Sequence, residues 1–197
     1  MKRLKNSIPF LFVGIILGSG CTSEVRRPAT PGAASLTPAR PVVQAGCPNL
    51  YRVSDVLYRS AQPEKECFPY LERLGIRTVI DLRMFHSDEK ELEGTSLAYF
   101  SISMAPWDPK EKQVRRFLRI ATNPAHQPVL LHCRHGADRT GTLIAAWRMV
   151  VEGWSKERAI EEMTKGPFGY HKFWSGLPKF LETLDVEALR KEFVRTP

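Results

Sequence analysis

From Cys47 onward the chain alternates between short β-branched, apolar runs and longer stretches with apolar residues at helical spacing. Asn49–Val53 and Val56–Arg59 read as a hairpin-like pair of short strands, and Glu64–Leu74 as a helix that stops at Gly75. Arg77–Leu82 is largely apolar, which suits a strand covered on both faces. Leu97–Ser103 alternates around Tyr99, Ser101 and Ser103 and predicts another strand. Lys110–Ala121 places Val114, Phe117, Leu118 and Ala121 on one helical face. Val129–His132, bounded by Pro128, is the next strand. Helices are predicted over Arg139–Val151 and Ser155–Lys165, the second with Ser155 as N-cap. A bent or broken helix runs from about Leu177 to Val194. This alternation predicts one α/β domain over residues 47–197, with a mostly parallel central sheet flanked by helices. No internal repeat is visible.

The first 46 residues follow different rules. Lys2, Arg3 and Lys5 precede the apolar run Ile8–Leu17 and the small residues Gly18, Ser19 and Gly20. This is the order of a secretory signal, and the run is too short to span a bilayer comfortably. Cys21 then resembles the lipid-acceptor cysteine of bacterial lipoproteins. The place three before it is Gly18 rather than the usual leucine. Residues 1–21 are therefore expected to be a signal with lipidation at Cys21; an ordinary cleaved signal and an uncleaved anchor are the alternatives. Residues 22–46 hold Pro28, Pro31, Pro38 and Pro41 among Ala, Thr and Ser, without apolar periodicity, and read as a disordered linker. The expected location is the bacterial cell envelope, with the domain tethered to a membrane and facing the periplasm, or else secreted and soluble.

Charge changes the picture less than its total suggests. The 197 residues are 43% hydrophobic and 25% charged, which excludes a wholly disordered or fibrous chain. The net charge of +8 would suit a nucleic acid partner, but +5 of it lies in residues 1–46. Only +3 remains on the domain, so no nucleic acid partner is expected, and the domain is read as a monomer. The cluster Arg115, Arg116 and Arg119 reads as a solvated helix face. Trp147, Trp154 and Trp174 read as packing residues.

Export implies an oxidising compartment, so the four cysteines need placing. With Cys21 assigned to lipid and Cys133 to chemistry, Cys47 and Cys67 are left. A disulfide between them would close a loop of roughly 20 residues and add ~3 kcal/mol. Two unpaired core thiols are the alternative, and so is a reversible bond from either one to Cys133.

The chemistry concentrates in His132-Cys133-Arg134-His135-Gly136-Ala137-Asp138-Arg139-Thr140-Gly141, which follows a buried strand and opens a helix. There the backbone N–H groups of Arg134, His135, Gly136, Ala137, Asp138 and Arg139 can form a cup reinforced by the helix dipole. Such a cup binds a phosphate dianion and favours the nucleophilic thiolate of Cys133. Arg139 can hold two phosphate oxygens through its planar fork. Gly136 permits a tight turn, and the Thr140 hydroxyl can donate to sulfur, making it a better leaving group.

These residues resemble the His-Cys-x5-Arg-Thr-Gly signature of the cysteine-dependent phosphatases, specifically the dual-specificity branch of the protein tyrosine phosphatase superfamily. The stretches Leu57-Tyr58-Arg59-Ser60-Ala61-Gln62-Pro63 and Gly75-Ile76-Arg77-Thr78-Val79-Ile80-Asp81-Leu82-Arg83 agree with it too, so the resemblance covers about residues 49–165. It implies hydrolysis of phosphate monoesters in two steps. Cys133 attacks phosphorus, a carboxylic acid protonates the leaving oxygen, and water then hydrolyses the phosphocysteine with the same carboxylate as base. No metal and no cofactor are implied, and no metal-ligand spacing is seen along the chain. The resemblance implies Asp108, in Pro106-Trp107-Asp108-Pro109, as the acid, with Asp138 the alternative and Asp88 behind it. Asp108 could also cap the helix starting near Lys110. His132 is expected to orient the loop, Arg134 and His135 to form its outer lip, and Arg59 and Arg83 to have structural roles. The substrate is open: a phosphorylated protein, a phosphoinositide, an inositol phosphate or a phosphorylated glycan. A catalytically silent phosphate-binding module is the rival from another class, though it would be expected to lack the cysteine or the arginine.

Overall fold

Strand β6 (Val129–His132) lies inside a six-stranded sheet and delivers the signature loop from its C-terminal end. The computed structural model describes residues 37–194, so the signal, Cys21 and the linker up to residue 36 lie outside the described residues. The other strands are β1 (Arg40–Pro41), β2 (Tyr51–Arg52), β3 (Leu57–Ser60), β4 (Thr78–Asp81) and β5 (Ala98–Ser101). Their order is β1-β2-β3-β6-β4-β5. The pairs β3–β6, β6–β4 and β4–β5 are parallel, and β1–β2–β3 is an antiparallel margin. Ser60, His132 and Asp81 stand abreast at the C-terminal edge, which is where ligands bind on open α/β sheets.

Both faces of the central strands are covered, and the alternation of side chains decides what each face meets. Leu57, Ile80, Val129 and Leu131 point to one side, with helices α2 (Glu111–Ala121) and α3 (Asp138–Val150) packed there through Phe117, Leu118, Leu143 and Trp147. Tyr58, Val79 and Leu130 point to the other, against Phe68 and Leu71 of the short helix α1 (Cys67–Arg73). The leucines and phenylalanines among these are fully buried, each contributing about 2 kcal/mol. Ser155 caps α4 (Lys156–Lys165) by accepting from the Arg158 N–H. The closing helix is two, α5 (Gly176–Thr183) and α6 (Val186–Phe193), with Asp185 capping the second. Buried Arg148 of α3 ties that helix to α4 through a two-bond contact with Glu162 at 2.8 and 2.9 Å, and also pairs with Glu152.

Two expectations change here. The linker expected to run to residue 46 already joins the domain where it is first described. Ala39 donates to Glu162 at 3.1 Å, Val42 donates to the Leu50 carbonyl at 2.9 Å, and Arg40–Pro41 forms the edge strand. An edge tolerates Pro41 because a proline has no N–H to offer the ladder. Asp108 is not the cap of α2: the helix starts at Glu111, and the Lys110 N–H is satisfied by the Gln113 side chain at 2.9 Å.

The face covered by α1 has only a seven-residue helix to shield it. Cys47 and Cys67, bonded to each other with Cα atoms 5.3 Å apart, lie in that layer. Neither is then available to Cys133, the free cysteine of the described residues. Replacing both Cys47 and Cys67 by alanine is expected to cost ~3 kcal/mol, given the loop they close. A lower denaturant midpoint, with a steeper slope because the unfolded chain expands, checks this; an unchanged midpoint would refute it.

Candidate active site

Cys133, the first residue after β6, is 1% exposed, and α3 begins five residues later. Among the described residues, the backbone N–H groups of Arg134, His135, Gly136 and Ala137 make no backbone hydrogen bond, as expected where a helix N-terminus opens onto an anion cup. The loop is held from behind. Gly136 adopts φ +67°, and its carbonyl accepts from the buried Arg59 guanidinium at 2.6 Å. Burial pushes the Arg59 guanidinium down to about 10, partly offset by the charges of Glu162 and Cys133. The Arg59 guanidinium also stacks 3.7 Å over the Phe168 ring.

Arg139 anchors its guanidinium on the carbonyls of Leu82 and Met104, at 3.3 and 3.5 Å. It opens into a cavity of about 660 Å³ shared with Arg134, Gln62, Arg83, Phe85 and Trp107. Phe85 and Trp107 are largely exposed at this mouth. Thr140 is fully buried, and its hydroxyl has no hydrogen-bond partner among the described residues.

The three carboxylates considered as acid have separate fates. Asp88 is sealed in the interior, where it accepts from Gln62 at 2.9 Å, pairs with Arg83, and lies 2.8 Å from His132 Nε2. Burial works to raise its carboxyl, but His132, Gln62 and Arg83 outweigh that and hold it below the usual carboxylate range. Pairing of this kind favours its charged form, which is unsuited to donating a proton. Arg83 bridges Asp88 to Asp81, which it grips at 2.9 to 3.1 Å. His132, read from sequence as orienting the loop, is fully buried beside this network.

Asp138 is also engaged: one oxygen accepts from the His171 N–H at 2.9 Å, and the other lies 2.8 Å from His171 Nδ1. Both Asp138 oxygens are thus engaged by His171, which weighs against Asp138 as the acid. Asp108 is the accessible one. It lies on the loop between β5 and α2, with its side chain 54% exposed and paired with Lys110 at 2.5 Å. Its neighbours Pro106 and Trp107 line the cavity into which Arg139 opens.

Sequence reasoning missed the segment after α4. His171, Phe173 and Trp174 form a row of rings from His135 on the signature loop to Trp107 on the Asp108 loop. The centroid spacings are 5.1 Å for His135–His171, 5.5 Å for His171–Phe173, 4.7 Å for Phe173–Trp174 and 6.2 Å for Trp174–Trp107. Trp174, read from sequence as packing, therefore touches the loop that carries Asp108. No local pattern marks these residues. Gln62 and Arg83, by contrast, stood inside the two stretches already singled out.

Known proteins with this arrangement are phosphatases. The family described as "DSP-PTPase phosphatase fused to NAD+ Kinase" matches residues 49–173. The dual specificity protein phosphatase TpbA of Pseudomonas aeruginosa is 35% identical over 143 residues, 72% of this chain and 65% of that protein. The chain thus spans just under two thirds of that relative's length. Inositol diphosphatase DSP5 of Arabidopsis thaliana is 32% identical over 152 residues, 73% of each chain. A crystal structure of substituted TpbA in complex with pTyr superposes with a TM-score of 0.71, at 32% identity, covering 82% of this chain and 99% of that one. With the signature loop, its sheet context and these relatives together, the chain belongs to the dual-specificity protein tyrosine phosphatase-like family.

Proposed function

We propose that this protein hydrolyses phosphate monoesters through a phosphocysteine intermediate at Cys133. The observation that carries this reading is the cup itself: a buried cysteine at a strand end, unbonded N–H groups over the next four residues, and Arg139 opening into the adjoining cavity. Cys133 Sγ attacks phosphorus, the bond to the leaving oxygen breaks, and Asp108 delivers the proton to that oxygen. Arg139 and the loop N–H groups hold the equatorial oxygens, where charge accumulates in the transition state. Thr140, buried with its hydroxyl unpaired among the described residues, donates to the sulfur as it leaves in this reading. Water, deprotonated by Asp108, then releases inorganic phosphate.

The substrate reading rests on the cavity mouth. Phe85 and Trp107 form an exposed aromatic rim, which suits an aryl phosphate such as a phosphotyrosyl side chain. The exposed Arg134, together with the similarity to an inositol diphosphatase, supports a polyphosphorylated small molecule as the second reading. The Cys47–Cys67 disulfide supports an oxidising compartment, consistent with export and anchoring at Cys21.

Acid quench of the full chain during turnover of 4-nitrophenyl phosphate tests the chemistry: a phosphoryl group should be trapped on the Cys133 peptide. No turnover, or turnover without that adduct, would overturn the proposal. Phosphotyrosine peptide compared with inositol phosphates then separates the two substrate readings.

Asp108 has its own test. Asp108→Asn is expected to lower kcat for a phosphotyrosine peptide about 10²- to 10³-fold and to flatten the alkaline limb of the pH–rate profile. An unchanged alkaline limb would remove Asp108 from the role.

A further inference from the structure

The residue spacing along the chain contains no metal set, yet the fold assembles one at the rim of the phosphate cup. His135 on the signature loop, Asp138 at the start of α3 and His171 on the segment after α4 offer ligand atoms that all lie within 4.8 Å of one another. We propose that these three side chains bind a divalent transition-metal ion of the zinc class, leaving a fourth position open to water or to an oxyanion. The site is separate from the hydrolytic chemistry, which needs no metal.

The donor chemistry selects that class of ion. Two imidazoles and one carboxylate suit zinc and its neighbours, whereas calcium and magnesium prefer oxygen alone. The carboxylate is oriented for the task. Asp138 Oδ1 accepts from the His171 backbone N–H at 2.9 Å, which turns Oδ2 towards Nδ1 of the same residue at 2.8 Å. Outer hydrogen bonds of this kind fix ligand orientation in metal sites. Tetrahedral bonds to zinc keep ligand atoms ~3.3 Å apart, so exchanging the shared proton for an ion opens this pair by about 0.5 Å.

The two loops that must converge are already clamped together. Asn49 Nδ2 donates to the carbonyl of His135 at 2.9 Å and to that of Phe168 at 3.0 Å, one side chain holding both segments. The Tyr51 ring packs edge-on against Phe168 at 4.8 Å, and the Arg59 guanidinium stacks on the same Phe168 ring. Only small side-chain movement then separates the empty arrangement from a bound one. His135 is exposed and His171 partly so, which gives an ion a path from solvent.

A second constellation in the same molecule shows what a merely structural cluster looks like. Asp81, Asp88 and His132 also bring ligand atoms together, but all three are sealed from solvent. Arg83 already neutralises both of those carboxylates. The rim cluster has neither a buried arginine nor a seal.

Zinc binding by the full chain, measured in competition with a chromophoric chelator, tests the site against the obvious competitor, the Cys133 sulfur. Cys133→Ser should bind zinc within about twofold of the unchanged chain. His135→Gln/His171→Gln should bind it about 100-fold more weakly or worse, since it loses two of three ligands. Cobalt bound to Cys133→Ser should show the visible bands of nitrogen and oxygen ligation without thiolate charge transfer. The single variant His135→Gln, at an exposed position, repeats the test where the double variant melts early. Loss of binding in Cys133→Ser, retention in the histidine variants, or no binding by the unchanged chain would each overturn the proposal.

Discussion

Turnover of 4-nitrophenyl phosphate is expected to fall by about 10⁴-fold or more on Cys133→Ser, because a nucleophile that works with its supporting groups as a unit cannot be replaced piecemeal. A serine hydroxyl keeps its proton at neutral pH, and the cup supplies anion stabilisation but no adjacent base: His132 is buried against Asp88 rather than free to accept a proton. The substitution is nearly isosteric at a site that is 1% exposed, so the fold and the cup should persist. Inorganic phosphate should therefore still bind, within about tenfold of its original affinity, or a difference of about 1.4 kcal/mol. Turnover that survives Cys133→Ser would sink the phosphocysteine mechanism. Loss of phosphate binding alongside turnover would show that the substitution had damaged the cup.

The second large effect is structural, and it falls on Gly136→Ala. This glycine has φ +67°, a conformation that costs an L-residue roughly 1–2 kcal/mol. A Cβ built there would lie 2.5 Å from the Ser60 carbonyl carbon and oxygen and from the Ala61 nitrogen. Those atoms belong to the backbone at the end of β3 and just beyond it, which cannot swing aside as a side chain can. Overpacking adds ~1–3 kcal/mol, so the total loss is expected to be about 2–5 kcal/mol. The displaced carbonyl would also lose its 2.6 Å bond from Arg59, and turnover should fall with stability. Gly169→Ala separates the two causes, since Gly169 has φ +81° but no atom within 4 Å of an added Cβ. It should lose only the conformational part, about 1–2 kcal/mol. Equal denaturant midpoints for the two variants would show that the clash at Gly136 is not real.

The fold was legible because its pattern is local. Parallel strands covered on both faces carry apolar centres rather than alternation, and Val79-Ile80 and Val129-Leu130-Leu131 supply them. The break between α5 and α6 showed in the pattern too. The edge strand Arg40–Pro41 did not, because two residues carry no periodicity and the contacts that recruit them come from Arg52, Leu50 and Glu162. The acid candidates were distinguishable only in three dimensions. Asp88, Asp108 and Asp138 look alike as letters, and what separates them is burial beside Arg83 and His132, exposure next to Trp107, and capture by His171.

The sequence by itself determined the layer architecture, the strand–loop–helix unit from His132 to Gly141 and the chemistry that unit supports, since neighbouring residues along the chain build all three. It also divided the charge, placing +5 of the +8 in residues 1–46, of which Arg40 proved to belong to the domain's edge strand. The tertiary structure alone decided which candidate carboxylates are buried in pairs and which is exposed, which residues brace the cup, and that a histidine 36 positions after His135 meets it at the rim. The reason is physical. Hydrophobic periodicity and turn chemistry act over a few residues and are written along the chain. Burial, desolvation and the meeting of distant side chains exist only once the strands and helices have packed.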